Sequence, residues 1–282
     1  MKRALSVFLI VPLLVFATLP VYAKNIQIKI DSIDIESDIV PEIRNNRTMV
    51  PLRVISENLG ANVSWANSEV TLTKSKMQVI LNLSSGTAMK NGETVPLDVK
   101  PYIKNNRTMV PLRFLAETFS CEVNYSNFTV SVKTEPLIID DVKVIALQHE
   151  YHMTMGGVVQ QIIGNAYIES IYNVLLENKS SEVETPASYS WQLNLETPGS
   201  YYKNGQYDFL DVDSNTIQRF DIYSLVRFFP SELLEEYPKY LIYDATTNKW
   251  YSFSETAMKS IIQLMETASK NGFLKIISNT VV

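Results

Sequence analysis

Cysteine is almost absent from this chain, with Cys121 alone among 282 residues. A lone thiol closes no intramolecular disulfide, so packing must hold the fold, and Cys121, just after an apolar helical pattern, is expected as a small core side chain. Glycine is scarce at 9 residues, and no GxSxG, P-loop or dinucleotide fingerprint occurs, which leaves few places where backbone could approach a phosphate. Histidine numbers 2, fewer than the three or four ligands zinc takes, and HExxH is absent. Positive charge is in deficit, with a formal net charge of −5, which argues against nucleic acid as a partner. At 46% hydrophobic and 20% charged with 12 Pro, the chain is neither collagenous nor wholly disordered, and it can bury a real core.

What is present begins with a leader. Lys2 and Arg3 precede an apolar run from Ala4 to Leu19, and Val21-Tyr22-Ala23 ends it as a peptidase site would, so residues 1–23 are expected to be a cleaved signal peptide. The run is shorter than the roughly 20 residues that span hydrocarbon and holds Pro12 and Pro20. No later stretch is long or apolar enough to cross a bilayer as a helix, so no membrane span is expected after cleavage.

The next feature is a duplication. Pro41–Thr73 aligns without a gap on Pro101–Lys133 at an offset of 60 with 15 identities in 33 positions, including NNRTMVPLR at Asn45–Arg53 and again at Asn105–Arg113. Each copy reads as an Asn-Asn turn, a short strand, and a helix with Pro51 or Pro111 at its first position. Leu52, Ile55 and Leu59 keep helical spacing, as do Leu112, Leu115 and Phe119. Gly60 offers a left-handed helix end; Ser120 replaces it in the second copy, where the helix end is expected to differ. Alternation then predicts hairpins, Val63 and Trp65 against Val70 and Leu72, Val123 and Tyr125 against Val130 and Val132, each with one buried face. Further strands are expected at 26–30 and 77–83. The fold class read from this is α+β: two tandem helix-on-antiparallel-sheet repeats over residues 24–135, then a separate α+β domain over 136–282.

The two NNRTMVPLR runs, Glu57 and Glu117, Leu59-Gly60-Ala61, and the Val-x-aromatic of Val63–Trp65 and Val123–Tyr125 resemble the copper amine oxidase N-terminal domain-like family, or stalk domain. This resemblance implies tandem copies in an exported protein of a Gram-positive, spore-forming bacterium, located at the cell envelope or secreted. It does not imply copper or oxidation. The enzyme of that name needs three histidines and a quinone-forming Tyr in an Asn-Tyr-Asp/Glu setting, whereas Asn124-Tyr125 is followed by Ser126.

Arg53 and Glu57, like Arg113 and Glu117, stand four apart on a helix and should pair. Arg47 and Arg107 are expected as scaffold, able to join that pair in a buried bridge from strand to helix. The alternative is a carbohydrate or carboxylate site in which Trp65 or Tyr125 stacks on a sugar, although a half-buried hairpin would place such rings in the core anyway.

Beyond Pro136 the character changes. Residues 24–135 hold 13 basic and 12 acidic side chains and residues 136–282 hold 10 and 18, so the net charge falls from +1 to −8, and 12 of the 15 Tyr lie in the later half. A strand is expected over 142–153, a helix over 166–176, hairpins turning at 213–215 and 246–248, a helix over 255–270 and a closing strand over 273–277. His149 and His152 would point to opposite faces of their strand, leaving His152 beside Glu150. Asp211, Asp213 and Asn215 imitate a calcium loop, but Thr216 stands where its glycine should be and Ile222 where its glutamate should be. No metal site and no cofactor are expected. The chain reads as a noncatalytic binding or structural module whose partner is a cell-wall polymer or another envelope protein. An envelope hydrolase is the alternative, because paired carboxylates leave no spacing signature.

Overall fold

Sequence duplication becomes structural duplication in the computed structural model, which describes residues 25–74 and 76–282; the expected signal peptide lies outside the described residues. The first copy runs β1 (Gln27–Ile30), β2 (Ile33–Asp34), β3 (Glu42–Arg44), β4 (Arg47–Pro51), α1 (Leu52–Asn58), β5 (Asn62–Ala66) and β6 (Glu69–Lys74), and β7 (Met77–Asn82) leads to the second. That copy runs β8 (Thr87–Lys90), β9 (Glu93–Pro96), β10 (Tyr102–Lys104), β11 (Arg107–Pro111), α2 (Leu112–Thr118), β12 (Glu122–Ser126) and β13 (Thr129–Lys133). The offset of 60 therefore extends back to β1 and β8, ahead of the aligned window.

Local chemistry explains the matching geometry. Asn45-Asn46 and Asn105-Asn106 take φ of 49°, 60°, 46° and 61°, the left-handed pair that two-residue hairpins need and asparagine tolerates. Pro51 and Pro111 do not open the helices as expected. Each closes its strand with extended ψ of 118° or 125° and acts as N-cap, so Leu52 and Leu112 come first in the helix. Proline fixes only φ, and strand pairing, Pro51 with Met109 and Pro111 with Met49, holds ψ extended. The helix ends agree despite the Gly60/Ser120 difference. Both residues are left-handed (φ 81° and 55°), and Ala61 and Cys121 donate back to Ser56 and Ala116 at 2.9 and 2.7 Å.

The repeats interlock rather than standing in tandem as closed units. Strands β4 and β11 pair antiparallel about Val50 and Val110, which gives the sheet β3-β4-β11-β10 a local twofold axis. The outer hairpins are exchanged. Strands β12 and β13 of copy two pair with β1 and β2 of copy one, while β5 and β6 of copy one join β8 and β9 of copy two through β7. The β1–β13 pairing is parallel, an exception to the antiparallel sheets expected. On one side of the central sheet Val50 and Val110 enter the main core; on the other, fully buried Met49 and Met109 pack with Ile39 and Val99.

The later half contributes β14 (Ile138–Ile139), β15 (Val142–Lys143), β16 (Ala146–His152), β17 (Gly157–Ile162), α3 (Asn165–Glu177), β18 (Lys179–Val183), β19 (Tyr189–Ser190), β20 (Tyr201–Leu210), β21 (Thr216–Leu225), β22 (Tyr240–Asp244), β23 (Lys249–Phe253), α4 (Glu255–Lys270) and β24 (Leu274–Asn279). The strand expected over 142–153 is thus two, β15 and β16. A large sheet runs β18-β23-β22-β21-β20-β16-β17-β24, with β19 beside β20. Leu147, Ile162, Phe209, Phe220, Ile222 and Ile242 on one face share a core with Ile168, Ile171 and Leu175 of α3 and Ile261 of α4. Ser254 caps α4, accepting from Ala257 N–H at 3.0 Å.

Composition shifts near residue 135, but the buried core does not stop there: it runs from Ile28 to Phe273. Gly164 at the N-cap of α3 offers no side chain, and Asp31 of the first copy takes that role, its carboxylate accepting from Asn165 N–H at 3.0 Å and from Thr134 Oγ1 at 2.6 Å. Tyr167 of α3 donates to Asn58 Oδ1 at 3.1 Å and accepts from Asn271 Nδ2 at 3.1 Å. Lys74 meets Glu169 at 3.0 Å. α+β is the fold class of the whole.

Candidate functional site

The duplicated corner is a structural joint. Arg47 does not reach the Arg53–Glu57 pair; its Nε donates to Asp98 of the other copy at 2.8 Å. Arg107 does the same in reverse, to Asp38 at 2.6 Å. The expectation of a buried bridge from strand to helix is therefore corrected. The twofold axis at Val50 and Val110 carries each strand's arginine towards the loop preceding the other copy's hairpin, and both bridges are partly exposed. Glu42 adds a third cross-copy tie to Lys104 and Tyr102.

Arg53 and Glu57 do pair, loosely, at 3.8 Å. Glu57 faces a cleft between α1, α3 and α4, and burial raises its pKa against the pull of Arg53. Arg113 and Glu117 form no such pair among the described residues. The hairpin strands β5 and β12 are exposed along most of their length, so Trp65 and Tyr125 are not core rings: they are 40% and 50% exposed. Arg53 lies over Trp65 at 4.1 Å.

A denser constellation lies on the large sheet, on the face away from the helices. Strand parity separates His149 from Glu150 and His152 as expected. His149 turns towards the core and stacks on Tyr207 at 4.5 Å, with Nδ1 3.0 Å from Gln160 Nε2. Its ring covers Gly205, where a Cβ would come within 2.5 Å of Nε2, so the bulge there demands glycine. Burial holds His149 neutral, with its pKa lowered to about 4.

On the opposite face His152 Nε2 meets Glu150 Oε1 at 2.7 Å, and the imidazole lies parallel to Trp191 at 4.0 Å. Trp191 also has the Lys203 ammonium 4.6 Å from its ring centre. Lys203 is buried and held by Asp221 at 2.8 Å and Gln206 at 2.8 Å. Burial lowers its pKa and the Asp221 carboxylate opposes that shift. Arg219 grips the same carboxylate with two bonds of 2.9 and 2.8 Å, and Gln206 passes the network to Asp208 at 2.7 Å.

These side chains border a cleft of about 910 Å³ lined by Glu150, His152, Trp191, Tyr202, Ser278 and Thr280 among others, with Met153 and Leu193 on its apolar rim. Tyr202 fixes one wall by donating to the His152 carbonyl at 2.7 Å. Thr280 is tied to the backbone of Gly157, accepting from its N–H at 3.0 Å. No group of three metal-ligating side chains converges among the described residues. Asp211 accepts from Asn215 and Asp213 N–H at 2.8 and 2.9 Å, closing the β20–β21 turn on itself. Cys121 is half-buried, and burial pushes its thiol up to about 11, away from nucleophilic range.

Sequence reasoning missed Asp38, Asp98, Trp191, Tyr202 and Lys203. The aspartates left a signal, an Asp three residues before Pro41 and again before Pro101, just outside the aligned window. Trp191 lies in an irregular segment without periodicity.

No helix among the described residues is long and apolar enough to cross a membrane. Searches of curated proteins and of solved structures match nothing. A family model described as the copper amine oxidase N-terminal domain matches residues 29–134. That match spans both interlocked copies from β1 to the end of β13. Over residues 29–134, therefore, the chain is similar to the copper amine oxidase N-terminal domain.

Proposed function

We propose that this protein is an exported, noncatalytic binding module of the bacterial cell envelope, in which stalk-type repeats carry a sheet whose cleft holds a cell-wall polymer. The observation that carries this reading is the cleft's lining. Trp191, braced by His152, and Tyr202 bring aromatic carbon to the walls while Ser278, Thr280 and Glu150 offer hydrogen-bonding groups, a mixture suited to a sugar, which has apolar faces and a hydroxylated edge. Among the described residues Glu150 is the one carboxylate on its walls, whereas glycoside hydrolysis uses two about 5–10 Å apart. The core shared by repeats and sheet supports a mounting role for the repeats.

Co-sedimentation with isolated Gram-positive cell walls tests this. Wild type should sediment and Trp191→Ala, at a temperature where circular dichroism shows it folded, should stay in solution. Equal sedimentation of both would overturn the cleft reading; capture that survives removal of glycans but not of wall proteins would point to a protein partner.

One observation favours a hydrolase: His152 and Glu150 form a base-and-orienter pair at 2.7 Å. Against it, no hydroxyl or thiol is hydrogen-bonded to that imidazole among the described residues, and Thr280 is engaged by Gly157. Release of reducing sugar from walls, lost in Glu150→Gln, would establish the enzyme.

A further inference from the structure

Beside the cleft, the same face of the sheet carries an ordered row of polar side chains. Gln161, Gln148, Asp208 and Arg219 are successive cross-strand neighbours on β17, β16, β20 and β21. Neighbouring strands lie about 4.8 Å apart, so the row spans roughly 14 Å and advances by about one pyranose ring per strand. Gln148 stands two residues from Glu150, which lines the cleft, so cleft and row are contiguous. At the far end Asp208 and Arg219, with Thr216 and Thr246, line a second hollow of about 270 Å³.

The row's chemistry is that of hydroxyl recognition. Gln161 Nε2 donates to Gln148 Oε1 at 3.2 Å, which orients both amides and leaves the Gln148 nitrogen and the Gln161 oxygen without a partner among the described residues. Both glutamines are half-buried, so little side-chain freedom is lost when a ligand arrives. Asp208 accepts from Gln206 and Thr216 and feels the charge of Arg219, while Asp221 is held by both Arg219 and Lys203, so two carboxylates and two cations balance there. A neutral polyhydroxylated chain fits such a surface better than a polyanion or a polycation.

We infer that the ligand of the cleft is an extended glycan of at least four units, which leaves the cleft past Glu150 and lies over Gln148 and Gln161 towards the hollow at Asp208 and Arg219. This rests on the cleft being a sugar site, and a length series separates the two ideas. Neutral β-1,4-linked N-acetylglucosamine oligomers, from the dimer to the hexamer, serve as the probe in titration calorimetry with the full chain. Wild type should bind the hexamer roughly tenfold or more tightly than the dimer. Gln148→Ala and Gln161→Ala should each remove most of that gain while leaving dimer affinity unchanged, and Trp191→Ala should weaken every length. Equal affinity for dimer and hexamer would overturn the extended track and leave the cleft reading intact. Absence of binding at every length would overturn both. If an alanine variant loses its native near-ultraviolet dichroism, Gln161→Asn, which keeps the amide but shortens its reach, replaces it with the same expectation.

Discussion

Copy one and copy two share NNRTMVPLR, a seven-residue helix and a left-handed helix end, yet among the described residues it is α1, not α2, that hydrogen-bonds to α3, and Gly60 just beyond α1 lies against α3. Two of their sequence differences fall at that contact. Asn58, which holds Tyr167, is Thr118 in copy two, and Gly60 is Ser120. A Cβ on Gly60 would stand 2.9 Å from Ser170 Oγ and 3.1 Å from the Ala166 carbonyl, whereas Ser120 is exposed. The kept arginines and aspartates build the matched bridges of the joint, whereas at Asn58 and Gly60 copy one differs where it meets the C-terminal half.

The sharpest way to break this comparison is at the helix ends. Gly60→Ala forces a Cβ into left-handed backbone and against α3, and should cost about 2–4 kcal/mol; Ser120→Gly, at the matching position, should be neutral or stabilising by up to about 1 kcal/mol. Denaturant melts of the two variants decide it, and equal effects would dissolve the asymmetry.

Acid titration comes next. Both histidines lie outside the copies. His149 has a folded pKa of about 4 against about 6.5 unfolded, so between those values the unfolded chain binds more protons. Stability should therefore fall as pH drops from about 6.5 to 4, by about 3 kcal/mol from this group alone. His149→Gln should flatten that slope. A slope unchanged in the variant would place the acid-sensitive group elsewhere.

Asn58→Ala should cost about 1–3 kcal/mol by leaving the buried Tyr167 hydroxyl without its acceptor, and Thr118→Ala markedly less. Asp31→Asn, which keeps the left-handed turn but weakens the cap on α3, should cost about 1 kcal/mol. Hydrogen exchange in the first turn of α3 should accelerate in Asp31→Asn and not in Asn91→Ala at the equivalent turn.

The smallest effect should be symmetric. Arg47→Ala and Arg107→Ala each break one partly exposed bridge and should each cost less than about 1 kcal/mol. A large loss from one alone would mean that the joint is not the balanced structure its geometry describes.

Much of the fold was legible because it is written in local periodicity. The 3.6-residue pattern placed α4 at the observed residues, and alternation placed the β5–β6 and β12–β13 hairpins. Which strands the hairpins join was not legible. The parallel pairing of β1 with β13 depends on the β4–β11 axis, and no local pattern encodes it. Strands β8 and β17 were missed because their apolar residues are few and polar ones sit among them, as in Thr87–Lys90 and Gly157–Ile162. Of the candidate site, the His152–Glu150 pair followed from strand parity, but Trp191 and Lys203 meet only through the fold of an irregular segment over β20.

The exchange of hairpins also sets how this region would bear load. Gln27 lies beside Thr129 and Ile30 beside Val132 in parallel strands. Tension applied between the start of β1 and the end of β13 would slide one strand along the other, and the hydrogen bonds between them would resist together instead of opening one after another. A region closed this way should yield far less readily to a pull along its ends than to one directed across its sheets, which makes the pairing of β1 with β13 a clamp in the mechanical sense.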